Sequence, residues 1–134
     1  MTHILLDTDV FSFIFKGDTR ADFYVPHTVN TQPCLCFQSV AELRLWAIVR
    51  NGGETRRAQL DGAIARCLVL PYDDLMSRRW AEITAHRRTL GQSIDCGDAW
   101  IAASALRHDM ALLTHNGKHY AGIMGLRLVS KEAK

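Results

Sequence analysis

Short apolar runs alternate along this chain with longer amphipathic stretches, and turn-forming residues separate them. Ile4-Leu5-Leu6 stops at Asp7-Thr8-Asp9 and predicts a buried strand that feeds a helix. Asp9 suits the cap of that helix, with Val10, Phe11, Phe13 and Ile14 as its apolar side. Cys34-Leu35-Cys36-Phe37 predicts a second strand behind Pro33. Ser39 then caps a helix reaching Arg50, closed by Asn51-Gly52-Gly53. Residues 54–66 and 73–90 predict two more helices, with a strand at 67–70 between them that ends at Pro71. The stretch 93–108 is apolar almost all round from Ala99 to Leu106, which predicts a central, buried helix. Strands at 111–114 and 126–129 complete the pattern. Strands alternating with helices predict an α/β fold: one domain over residues 1–134, its parallel sheet flanked by helices on both faces.

Composition narrows the class without naming a function. Of the 134 residues, 48% are hydrophobic and 22% charged, the balance of a globular domain rather than a disordered chain. A net charge of +2 excludes a polybasic membrane or histone-like binder and an acidic tail. No apolar run is long enough to span a bilayer, and the start of the chain has no basic leader, so a cytoplasmic protein is expected. Cys34, Cys36, Cys67 and Cys96 match no zinc spacing and read as small buried apolar residues.

The acids carry the chemistry. Ligands of open parallel sheets bind beyond the carboxyl ends of the strands. Asp7 ends the first strand, and Glu42 lies in the early turns of the helix after the second. Asp98 opens the buried helix, and Asn116 follows the strand that ends at Thr114. All four are expected to converge on one end of the sheet. Carboxylates about 5 Å apart repel by roughly 3 kcal/mol per pair at an effective dielectric near 20. A hard divalent cation such as Mg²⁺ or Mn²⁺ removes that conflict. Such ions activate water and stabilise charge on a phosphoryl oxygen, so metal-assisted phosphodiester hydrolysis is the reaction that fits. Asp95 and Asp98 also have the spacing of a helix capping box, which makes Asp95 a structural cap first and an accessory acid second.

Together these segments resemble the PIN-domain ribonucleases, and among them the VapC-type toxins of toxin–antitoxin modules. The resemblance rests on Leu5-Leu6-Asp7-Thr8-Asp9-Val10, Ser39-Val40-Ala41-Glu42-Leu43, Asp98 through Ala105, and Leu112-Leu113-Thr114-His115-Asn116, in order over nearly the whole chain. It implies a PIN-like nuclease domain and a Mg²⁺- or Mn²⁺-dependent endoribonuclease that cuts tRNA or another structured RNA. It also implies neutralisation by a cognate antitoxin and association as a homodimer. Asp7, Glu42 and Asp98 fall on the family's three best-defined acids and become the expected metal ligands and catalytic residues. The fourth position is Asn116, and His119-Tyr120 stand where many relatives have an acid before an aromatic. Three possibilities stay open there: Asn116 holding a water, Asp95 supplying the charge, or a weak second metal position.

Thr8 and Thr114 carry hydroxyls at strand ends that can position a carboxylate or a phosphate, or stabilise a turn. Arg44, Arg87 and Arg88 are candidate phosphate contacts on helix faces. His115 and His119 form the one tempting zinc pair, without a third ligand. Trp46, Trp80 and Trp100 read as core or interface anchors. Phe11, Phe13, Phe15 and Phe37 read as core, or as an apolar patch for a partner helix. A haloacid-dehalogenase phosphatase requires Thr or Val where Phe11 stands. A receiver domain requires a phosphoacceptor at its third strand end, where the nearest acid is Asp73. A PIN fold that binds RNA or a partner without cutting is the main alternative.

Overall fold

The computed structural model describes residues 1–131; the last three residues of the expected domain lie outside it. Five strands, β1 (Thr2–Leu6), β2 (Thr31–Cys36), β3 (Leu68–Leu70), β4 (Ala111–Leu113) and β5 (Leu128–Val129), form one sheet in the order β3-β2-β1-β4-β5. Every neighbouring pair is parallel, as the strand–helix alternation predicts. The strand expected over 126–129 shrinks to two residues at the sheet edge.

Alternation along the central strands divides the core in two. Leu5, Cys34, Cys36 and Leu112 face one side and pack with Met76, Ile83, Ile101 and Ala102. Those partners lie on α5 (Asp74–Thr89) and α6 (Cys96–His108). Ile4, Leu6, Leu35 and Leu113 face the other side, against Val10, Phe11, Leu43, Leu60 and Ile64. These come from α1 (Thr8–Lys16), α3 (Phe37–Val49) and α4 (Gly53–Ala65). Phe37 therefore lies across the sheet from Phe11 and Phe15, and the four phenylalanines do not form one patch. The tryptophans pack against these clusters, with Trp80 and Trp100 stacked at 5.5 Å.

Three helix starts differ in detail from the sequence expectation. Asp7, not Asp9, caps α1 by accepting from the Thr8 N–H. Cys36 stands at the cap of α3, so Phe37 is helical and Ser39 is buried inside the first turn. Asp95 caps α6 by accepting from the Gly97 N–H at 3.2 Å, but the Asp98 carboxylate turns to Tyr120 and His119, so the capping box is only half made. Two short helices, α2 (Val25–Thr28) and α7 (Gly117–Tyr120), and a 3-10 turn at Thr19–Phe23 carry no periodic signal in the sequence. Cys96 is exposed rather than buried. Among the described residues no helix is long and apolar enough to cross a membrane.

Candidate active site

Because all five strands are parallel, the loops that leave their carboxyl ends lie on one side of the sheet. Asp7 follows β1 and is bonded through its own N–H to the Leu113 carbonyl at the end of β4. The residue is 5% exposed. Oδ1 accepts from the Thr8 N–H at 2.8 Å, while Oδ2 accepts from the Thr114 hydroxyl at 2.6 Å and from the Tyr120 hydroxyl at 3.1 Å. The Tyr120 hydroxyl also lies 3.2 Å from Asp98 Oδ1, which ties the opening turn of α6 to the end of β1. Asp98 Oδ2 faces His119 Nδ1 at 3.2 Å.

Glu42 joins from the second turn of α3. A Cβ built on Gly97 would lie 3.5 Å from Glu42 Oε1, 3.2 Å from Asp95 Oδ2 and 3.1 Å from Gln38 Nε2. The bare backbone of Gly97 is thus what lets these groups crowd the start of α6. Gln38, one turn before Glu42, hydrogen-bonds its carboxylate.

The electrostatics are those of an acid cluster short of cations. Burial, then the charge of Asp9, pushes the Asp7 carboxyl up to about 7, against the pull of its hydrogen bonds from Thr114 and Thr8. Burial raises Asp98, opposed by the Tyr120 hydrogen bond. Burial also raises Glu42, and repulsion from Asp7 and Asp98 adds to it. Among the described residues no arginine or lysine pairs with Asp7, Glu42, Asp95 or Asp98.

No ready-made cage of three acid, histidine or cysteine side chains is present among the described residues. The donor set still fits a small hard cation, which binds through one or two carboxylates and keeps several of its waters. The side-chain atom bridging Asp7 and Asp98 is an oxygen, and among the described residues no arginine or lysine neutralises Asp7.

Other sequence candidates fall as follows. Thr114 is buried and aims its hydroxyl at Asp7, so it positions a carboxylate rather than a phosphate. Thr8 gives its hydroxyl to Ser39 at 2.8 Å, joining α1 to α3. Asn116 donates from Nδ2 to Asp9 Oδ2 at 2.8 Å and stands at the rim, and Asp9 also accepts from the His115 N–H at 3.2 Å. Asp9, expected to be a cap alone, is therefore a member of the acid cluster. Arg87 departs furthest from expectation. It is 8% exposed, and its Nη2 donates to the carbonyls of His119 and Ala121, so it fixes the α7 turn instead of reaching for a phosphate. Arg44 is paired with Asp61 at 2.6 Å, and Arg88 is exposed. His115 turns to the Tyr24 hydroxyl while His119 faces Asp98, so the two do not form a zinc pair. Sequence reasoning misses Tyr120, because an aromatic beyond a strand end looks the same in sequence whether its hydroxyl serves a site or not.

A small acid-lined site at the carboxyl edge of a five-stranded parallel sheet is the plan of a nuclease of the PIN class. The PIN domain model matches residues 4–123, and the chain belongs to this family. Among its relatives, the VapC ribonuclease Y4jK of Sinorhizobium fredii is 32% identical over 121 residues, covering 84% of this chain and 86% of that protein. The tRNA(fMet)-specific endonuclease VapC of Shigella flexneri is 27% identical, covering 95% of this chain and 96% of its own. In structure, the chain superposes on the crystal structure of VapBC2 from Rickettsia felis, bound to a fragment of promoter DNA, with a TM-score of 0.85. That match has 20% identity and covers 96% of this chain and 98% of that one. Within the PIN family the chain is therefore of the VapC ribonuclease kind.

Proposed function

We propose that this chain is a Mg²⁺- or Mn²⁺-dependent endoribonuclease toxin that cuts tRNA or another structured RNA by phosphodiester hydrolysis. A cognate antitoxin holds it inactive, and the toxin acts in the cytoplasm as a homodimer. The observation that carries the catalytic reading is Asp7: a buried carboxylate joined to Asp98 through one phenol hydroxyl, with no arginine or lysine paired to it among the described residues. The ribonuclease and endonuclease names of the relatives support the reaction class, and the tRNA-specific relative supports the substrate. The VapBC complex among the structural neighbours supports the antitoxin.

Asp7, Asp98 and Glu42 would hold the ion, which when bound supplies an activated water and charge stabilisation at the scissile phosphate. The rest of the work belongs to the protein. Thr8 N–H and the Thr114 hydroxyl fix the two oxygens of Asp7, and Gln38 holds Glu42. One of these carboxylates can also take a proton from the attacking water, and Glu42 and Asp98 are both partly exposed to solvent. Asn116 keeps Asp9 turned to the β4 loop at the rim of the cleft.

The test is a total tRNA pool incubated with purified protein in Mg²⁺ or Mn²⁺, in EDTA, and with Asp98→Asn. Discrete fragments that vanish in EDTA and with the substitution are expected. Intact RNA in every arm, from folded protein free of antitoxin, would favour a PIN domain that binds without cutting or a substrate outside the tRNA pool.

A further inference from the structure

We propose that Tyr120 is a positioning residue whose hydroxyl, spanning Asp7 and Asp98, sets the gap between them and so the affinity and size preference for the divalent cation. The inference rests on the metal-dependent reading of the site given above.

Three observations carry it. The hydroxyl lies 3.1 Å from Asp7 Oδ2 and 3.2 Å from Asp98 Oδ1, and among the described residues no other side chain is hydrogen-bonded to both acids. Thr114 reaches only Asp7, and His119 reaches only Asp98. The residue itself is 1% exposed and packs in the core beneath the sheet end, so the hydroxyl has little freedom to wander. Lastly, the turn that carries it is held from both sides of the residue: Arg87 donates to the carbonyl before Tyr120, on His119, and to the carbonyl after it, on Ala121, at 3.0 and 3.1 Å. A buried guanidinium is thus committed to fixing where one hydroxyl sits.

A phenol has one proton and can donate fully to one carboxylate at a time, leaving the other oxygen facing its lone pairs. That arrangement holds two like charges near each other without neutralising them. Asp7 and Asp98 would hold a cation across this arrangement, and their shared hydroxyl would resist the change in spacing that a larger ion required. Groups that orient ligating carboxylates in this way are worth a tenfold to hundredfold change in metal affinity.

The experiment uses Tyr120→Phe, which keeps the ring in its core position. Mn²⁺ and Ca²⁺ binding are measured without RNA, by the electron paramagnetic resonance of free Mn²⁺ and by calorimetry. A thermal melt in EDTA confirms that the variant is folded. The expected result is a loss of roughly tenfold or more in Mn²⁺ affinity with a smaller loss for Ca²⁺, so that the preference between the ions narrows. Mn²⁺ affinity that stays within about twofold of the parent, or equal losses for both ions, would overturn the role of Tyr120. Failure of the parent chain to bind Mn²⁺ would instead overturn the metal-dependent reading itself, and this inference with it.

Discussion

Replacing Asp7 with asparagine separates what this acid does for the reaction from what it does to the fold. The Asp7 carboxyl is pushed up to about 7 from an ordinary value of 3.8, chiefly because it is buried and next because Asp9 is close. The folded chain therefore keeps a proton that the unfolded chain has lost. A raised folded value means stability that is complete below about pH 4 and drains away as pH rises through 7. A shift of this size corresponds to about 4 kcal/mol in all, of which about 2 kcal/mol disappears between roughly pH 5.5 and 8. An amide side chain at this position would still accept from the Thr8 N–H and carries no charge, so that loss should vanish in Asp7→Asn. The assay is urea unfolding in EDTA at the two pH values for both chains. Groups outside the acid cluster, such as His108, whose burial lowers its pKa and pulls stability the other way, are common to both and cancel. The parent should lose about 2 kcal/mol more than Asp7→Asn over this range, and Mn²⁺ at pH 8 should restore stability to the parent alone. Parallel pH dependence in the two chains would refute the claim that Asp7 is a buried, uncompensated acid.

Further consequences follow from individual contacts. Arg87→Met should cost about 2–4 kcal/mol in denaturant unfolding, because two carbonyls of the α7 turn lose a charged donor, and Mn²⁺ affinity should fall with it. Gly97→Ala should leave the helix content of α6 intact, since alanine is the better helix former. Its Cβ would press on Gln38 and Asp95 beside Glu42, and RNA cleavage should drop about tenfold with little change in melting temperature. Asn116→Asp places a carboxylate where an amide now donates to Asp9; a lower melting temperature in EDTA that Mn²⁺ repairs is the expected outcome of that swap.

The sheet and its principal helices are legible because each buries a periodic apolar face: Leu5, Cys34, Cys36 and Leu112 alternate toward one layer, Ile4, Leu6, Leu35 and Leu113 toward the other. The short turns at Thr19–Phe23, Val25–Thr28 and Gly117–Tyr120 are not legible, since pieces of one turn have no period to read and are shaped by tertiary contacts. The same distinction holds for the site. Asp7, Glu42 and Asp98 stand out in sequence because acids at strand ends and beside an apolar helix are costly without a purpose. What holds them is hidden there. The Tyr120 hydroxyl, the Gln38 amide and the missing side chain at Gly97 come from segments far apart in the chain, and Arg87 resembles a surface cation until its carbonyl partners are located.

We propose that Asp7, Glu42 and Asp98 would hold a divalent ion that supplies a water, rather than a ribose hydroxyl, as the group that attacks the phosphate. The chemistry of the cut ends tests it most directly. Fragments made by the parent chain with Mn²⁺ should carry no cyclic phosphate, and an RNA with a 2′-deoxy residue at the cut should still be cleaved. A 2′,3′-cyclic phosphate, or loss of cleavage on removing that one hydroxyl, would contradict the account.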